Sequence, residues 1–366
     1  MIPCHRITST QRALVLGWIL LIQVIFAAIG FQAYSLLNGE KRAQEQLNHI
    51  RVTPGQVDPG TVPPEPVPAT GNFTTVAVGI SLEDVEAMSI HESYWTSTFY
   101  IWFRWQGDPA LSPGQHFQIV GGRIDKRDTV EEYSGPDGTN YQQYRITARI
   151  GHEFHTARVP LDEQMLTIDV EDLRADAAML RFVADPPSDV GSRVVVSGYR
   201  VKGHDQVVKS HTYRSSYGDP RDHGTSAATF SQYRYAVTVE RNGMGIYFKI
   251  FIGLFAGLAL ALTSFTIRAT DLSPRFSMLG GSYFGAVANS YLAGSLVPSS
   301  GQFGLVDYVT LTGLFTIFLS VVATSVSAHI WSERDNPFLS RVFDFASLVT
   351  LGTGYVVVTV VITLTA

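Results

Sequence analysis

Apolar and polar positions follow three different rhythms along the chain. A continuous apolar run, ALVLGWILLIQVIFAAIGFQAYSLL, occupies 13–37. Its length exceeds the roughly 7–15-residue core of a cleaved signal, and no small-x-small site closes it. An uncleaved transmembrane anchor is therefore expected, with an uncleaved or processed signal as the alternative. Arg6 and Arg12 ahead of it put residues 1–12 in the cytoplasm and the chain beyond the anchor outside. Residues 38–72 are polar and then rich in Pro and Gly (VTPGQVDPGTVPPEPVPATG); the first part can extend the helix and the second reads as a linker, neither helix nor sheet.

From 73 to 242 the rhythm shortens to alternating runs rich in aromatic and β-branched residues: TVAVGISL, STFYIWFRW, NYQQYRITARI, QMLTIDVED, AMLRFVAD, RVVVSGYRV and SQYRYAVTVER. About seven or more strands at this spacing predict an antiparallel β-sandwich. Beyond Arg241 come four apolar stretches, near 246–267, 274–297, 304–331 and 342–364, each close to the ~20 residues a bilayer core requires. Arg268 with Arg275, and Arg334 with Arg341, fall in the connections that would be cytoplasmic, while 298–303 carries no Lys or Arg. The expected architecture is a membrane protein: one N-terminal transmembrane anchor, an extracellular sandwich (73–242) and a four-helix transmembrane bundle (243–366), with the C-terminus outside.

Composition narrows the function classes. The 366 residues are 45% hydrophobic and 16% charged, with net charge −5; a soluble part and a membrane part of similar size account for that balance. No long basic run suggests a nucleic-acid partner. The single cysteine, Cys4, permits no intrachain disulfide. NFT at 72–74 matches a glycosylation sequon, read as a chance match. HEFH (152–155) resembles a metal motif, but on a strand its two histidines would face opposite sides. VGGR lacks the context of a phosphate loop, and no nucleophile–base pair stands out. No enzyme, metal or cofactor is expected.

An outer sandwich running straight into four helices resembles the pentameric ligand-gated ion channels (the Cys-loop receptor superfamily), in their bacterial form without the disulfide. Local motifs carry the resemblance across residues 73–366. ISLEDVEAMSIHESYWTSTFYIWFRW is similar to the first two strands of that family, and RVPLDEQMLTIDVED to its signature loop. TVERNGMGIYFKIFIGL resembles the last strand entering the first helix; the 273–298 stretch with SSGQFGLVDYVTLTG resembles the second helix and the start of the third. Val159 in place of an aromatic, Gly253 in place of a Pro and GQHFQIVGGRID without a Trp motif depart from the pattern.

The resemblance implies a homopentamer in a bacterial inner membrane, with a periplasmic sandwich gating a pore. Its partners would be other copies of the chain, inorganic ions, membrane lipids and an unidentified small-molecule or ionic ligand. On a helical wheel, Ser277, Gly281, Phe284, Ala288, Tyr291 and Ser295 share a sector of about 80° and would line that pore, with Phe284 and Tyr291 narrowing its middle. The other reading of the sector is packing, through Gly281-x-x-x-Gly285. Asn289 is expected between helices. Phe276, Leu279, Tyr283 and Val287 would pack on neighbours. Ser273-Pro274-Arg275 resembles an anion-selective mouth if Arg275 faces the pore. The family arrangement further implies gating coupling through His91, Glu92, Pro160, Asp162, Arg241, Pro298 and Asp307, including an Asp162–Arg241 ion pair. A ligand site would draw on Tyr213, Arg214 and Tyr217 of one subunit and on Tyr100, Trp102 and Arg104 of the next. A non-conducting envelope receptor or scaffold of the same fold is the competing function class.

Overall fold

A computed structural model describes residues 8–67, 71–213, 228–296, 303–334 and 336–366. The elements run α1 (Ser9–Val52), β1 (Thr74–Ser89), β2 (Tyr94–Gln106), a 3-10 turn, α2 (Pro113–His116), β3 (Phe117–Ile119), β4 (Gly122–Ser134), β5 (Thr139–Gly151), β6 (Glu163–Asp172), β7 (Leu180–Ala184), β8 (Asp189–Val190), β9 (Tyr199–Tyr213), β10 (Ala228–Arg241), α3 (Gly243–Thr263), a second 3-10 turn, α4 (Leu272–Leu296), α5 (Leu305–Arg334) and α6 (Pro337–Thr365). They form two compact units. Met1–Arg42, Thr156–Asp162 and Gly243–Ala366 make a helical unit; Ala43–His155 and Glu163–Asn242 make a β-rich one.

The β-rich unit contains two sheets, ordered β4-β5-β2-β1-β7, with β8 also on β1, and β3-β6-β10-β9. Alternation explains the core: Val76, Val78 and Ile80 of β1, Phe99, Ile101 and Phe103 of β2, and Tyr233, Tyr235 and Val237 of β10 all point inward and are buried. The sandwich is not wholly antiparallel, because β7 and β8 both pair parallel to β1. The alternation also hid β4, an almost wholly exposed strand of charged residues (GRIDKRDTVEEYS) at the sheet edge; charged edges discourage pairing with other chains. RVVVSGYRV is not one strand. Val195 is 73% exposed, Gly198 turns the chain with φ +79°, and β9 starts only at Tyr199.

Among the described residues, four helices are long and apolar enough to cross a membrane: Ser9–Val52, Gly243–Thr266, Leu305–Ser332 and Pro337–Thr365. The chain is in this respect a membrane protein. α4, expected as a span of the same kind, is not among them. α1 packs on α6. Phe26 fills the space over Gly354, where a Cβ would lie only 2.4 Å from its ring, and Trp18 Nε1 donates to Ser347 Oγ at 3.0 Å. Leu14, Leu16, Leu20 and Phe31 on α1 stay exposed, as lipid-facing residues do.

Candidate functional site

The face that α4 leaves uncovered follows from its sequence period. Leu279, Ser282, Ala286, Asn289 and Ala293 are buried, forming a sector about 80° wide. Ser277, Gly281, Phe284, Ala288, Tyr291 and Ser295 lie on the opposite side, and all six are exposed. Phe284 and Tyr291 are 73% and 78% exposed, large aromatic surfaces without cover from their own chain. Of the residues expected to pack on neighbours, Leu279 does so and Val287 is half-buried; Phe276 and Tyr283 flank the exposed face.

Glycines do make a close helix crossing, but not the pair expected. A Cβ on Gly285 would meet nothing within 4 Å, and one on Gly281 only a Leu260 methyl at 3.8 Å. The tight contact belongs to Gly253 and Gly257 of α3. A Cβ on Gly257 would lie 3.0 Å from the Ser282 carbonyl, and one on Gly253 would lie 2.8 Å from Asn289 Oδ1. Asn289 therefore sits between helices as expected, and the glycine that departs from the family's Pro makes room for it. Small residues that let backbones approach are a usual device between membrane helices.

Arg275 is removed from any pore mouth. It is fully buried, and its guanidinium reaches both Asp344 oxygens of α6, NH1 to Oδ1 at 3.1 Å and NH2 to Oδ2 at 2.6 Å, while Nε donates to the Ile267 carbonyl at 3.2 Å. The resemblance of 273–275 to an anion-selective mouth thus lacks its charge.

The loop 156–162 belongs with the helices. The Leu305 amide at the start of α5 donates to the Ala157 carbonyl at 2.8 Å. Gly243, the first residue of α3, lies against Leu161 and the Pro160 carbonyl, and Gly304 against Ala157. Asp307 accepts from the Gly304 amide at 2.9 Å, closing the α5 N-terminus as an acidic N3 side chain does. The Val159–Pro160 peptide is cis, and Asp162 is buried. Arg241 stacks on the Tyr199 ring at 4.4 Å and donates to its hydroxyl. His91 is exposed in the β1–β2 turn, where Glu92 pairs loosely with Arg149 at 3.6 Å. Pro298, Arg214 and Tyr217 lie outside the described residues.

The ligand candidates divide between the sheets. On β2, Trp102 Nε1 and Arg104 NH2 converge on the buried Asp185 carboxylate at 2.8 and 3.0 Å, with Tyr100 half-exposed on the same strand face. On β9, the Tyr213 hydroxyl donates to Glu171 at 2.8 Å. Trp102 and Arg104 are therefore already engaged by Asp185.

A second polar cluster lies on the outer face of the β6–β10–β9 sheet, away from the core. Period-2 spacing sets Asp169 and Glu171, Gln232 and Arg234, and Lys209 and His211 on this face. Residues 53–67, expected as a linker, lie across it. Asp58 accepts from Lys209 Nζ at 2.7 Å and Arg234 NH1 at 2.6 Å. Arg234 also grips Asp169 through Nε and NH2, at 2.6 and 2.9 Å. The same two cations cap the end of α1, Lys209 on the Ile50 carbonyl at 2.7 Å and Arg234 on the Arg51 carbonyl at 3.1 Å, where the helix dipole favours positive charge. Burial works to raise the Asp58 pKa, but the Lys209 hydrogen bond and the Arg234 charge overcome it and hold the carboxyl below its usual range. Beside it, fully buried Glu171 accepts from His211, Tyr213 and Gln232 at 2.7, 2.8 and 2.8 Å; the Glu171 hydrogen bond raises the His211 pKa. The readable signal for this cluster was charge repeated at i and i+2 within strands otherwise built for burial.

HEFH lies past the end of β5, in a loop rather than on a strand. Burial, with the nearby Arg51 and His155 charges, lowers the His152 pKa to about 3, so its ring is neutral at physiological pH. Among the described residues no group of three or more His, Cys, Asp or Glu could hold a metal ion. No family model matches the chain, and no curated protein sequence matches it.

Proposed function

We propose that the protein is an ion channel of the pentameric ligand-gated type, a homopentamer in a bacterial inner membrane whose periplasmic sandwich controls a pore lined by α4. The observation that supports this reading is the division of α4 into two faces. One face packs on its own chain; the other, from Ser277 to Ser295, is small, hydroxyl-bearing and aromatic, and is left uncovered. A helix too polar to count among the apolar spans gains a place in a bilayer if that face meets water or another copy of itself. In a ring of five, Phe284 would form the constriction, closed by dewetting.

In this reading the loop 156–162 is the coupling element, because it touches the starts of both α3 and α5. Tyr100 and Tyr213 remain the aromatic candidates for a site between subunits.

The test is ion flux into liposomes carrying the purified protein, together with a copy count by cryo-EM. Phe284→Ser is expected to leave pentamers intact and to raise the resting leak severalfold. Intact pentamers with unchanged flux would remove Phe284 as the gate. A particle whose axis is lined by another helix, or a monomer, would leave the non-conducting receptor or scaffold in its place.

A further inference from the structure

The strap over the β6–β10–β9 sheet stands off its surface. Between them is a cavity of about 420 Å³ lined by strap residues Val57, Asp58 and Pro64 and by sheet residues Val208, Lys209 and Arg234, a volume within the range of small-molecule sites. At one end are two side chains that bear positive charge and are more than nine-tenths buried, Lys209 and Arg234, 6% and 7% exposed. Asp169 neutralises one of these charges. The other is neutralised by Asp58, which is not part of the sheet at all but sits on the strap and is 18% exposed. The sheet thus presents a preformed seat for one carboxylate, filled by a residue on a segment that is neither helix nor strand.

Among the described residues, the Glu65 amide also ties this segment to the sheet, donating to Thr212 Oγ1 at 3.2 Å. The remaining walls mix apolar side chains, among them Val62 and Val120, with polar ones such as Gln56, Thr61 and Gln232. A charged seat with valines and polar side chains beside it describes a small organic acid.

We propose that this cavity binds a small monocarboxylic acid, whose carboxylate takes the place of Asp58 on Lys209 and Arg234 while its hydrocarbon body lies against the valines. Asp58 is then a built-in competitor, and binding of the acid frees the strap. Every lining group is in the β-rich unit, so the proposal does not rest on the pore reading. Because a tethered competitor acts at a millimolar-scale effective concentration, the native chain binds the acid weakly.

The experiment uses the full-length protein in lipid nanodiscs, with benzoate as the probe and benzamide as its uncharged counterpart. Calorimetric titration is expected to show benzoate binding to Asp58→Asn at least about tenfold more tightly than to the native protein, with no binding of benzamide. Equal affinity in both proteins, or benzamide binding as well as benzoate, overturns the proposal. Hydrogen exchange on the native protein decides the matter if the variant does not fold. Millimolar benzoate, but not benzamide, is expected to speed exchange of amides in 53–67, and unchanged exchange there overturns it. Ion flux is not read in either arm, so failure of this inference and failure of the channel reading are distinguishable.

Discussion

Among the described residues two arginines, Arg234 and Arg275, are buried with carboxylates, and the surroundings of each give it a different character. Arg275 in the helical unit has one acidic partner, Asp344 on α6, and one carbonyl, that of Ile267 just past the second 3-10 turn, and the guanidinium has no exposure. Arg234 in the sandwich binds two carboxylates, Asp169 and Asp58, and shares with Lys209 the second, which comes from an irregular strap at the surface. The first arrangement is closed: its charges cancel within a fixed frame, with no group that can leave. The second is proposed as an exchangeable seat, because the charge that completes it belongs to a segment that is neither helix nor strand. A buried ion pair therefore says little by itself about stability or function; what matters is which partner can move.

The largest effect is expected where no partner can move. Arg275→Met leaves Asp344 charged among apolar helices and is expected to cost on the order of 3–5 kcal/mol, while Arg275→Met with Asp344→Leu recovers most of that loss. Thermal unfolding in detergent measures both; a single variant as stable as the native protein would break the comparison. Asp58→Asn should be milder, about 1–3 kcal/mol, because Asp169 still balances one of the two buried cations and the amide oxygen still accepts a hydrogen bond. Protease cutting within 53–67 should rise in that variant while the sandwich stays folded.

The titrating histidines of the sandwich sharpen the comparison further, with opposite signs. The folded-state pKa of His152 is about 3, below the ~6.5 of a free histidine. Its contribution is complete above ~6.5 and is lost as pH falls from there toward 3, since only the unfolded chain gains the proton. His211 has a raised pKa, so its contribution is complete below ~6.5 and is lost as pH rises through the raised value. His152→Gln is expected to flatten the acid limb of the stability profile and His211→Gln the alkaline limb, the smallest of these effects. Chemical denaturation across pH 4–9 reads both limbs, and an unchanged acid limb in His152→Gln would remove that residue from the account.

The shared side of the α4 residues was legible in sequence because it depends on a local period. A helix of 3.6 residues per turn sets Ser277, Phe284 and Tyr291 together whatever surrounds them. The partner of each face was not legible, since that depends on residues far along the chain. Gly281 and Gly285 have the spacing of a contact motif and make no close contact in the chain; Gly253 and Gly257, with the same spacing one helix earlier, do. Arg275 reads as a mouth charge until Asp344, sixty-nine residues later, is found beside it.

In the sandwich the same division holds. Alternating runs marked the buried strands. The charged edge strand β4 gave no such signal, because a strand exposed on both faces needs no apolar alternate. The Arg193–Val201 run gave a false one, because three consecutive valines match a strand although one of them, Val195, is largely exposed.

What the sequence by itself determined, then, is much of what near neighbours set: the long apolar runs of α1, α3, α5 and α6, the period of the buried strands, the break between sandwich and helices, and which α4 residues share a side. Tertiary structure alone decided which charges meet and which segments dock. Residues 53–67 have the composition of a free linker, yet Asp58 finds Lys209 and Arg234 151 and 176 residues further on. Electrostatic partners are chosen by distance in space, and no period along the chain encodes that distance.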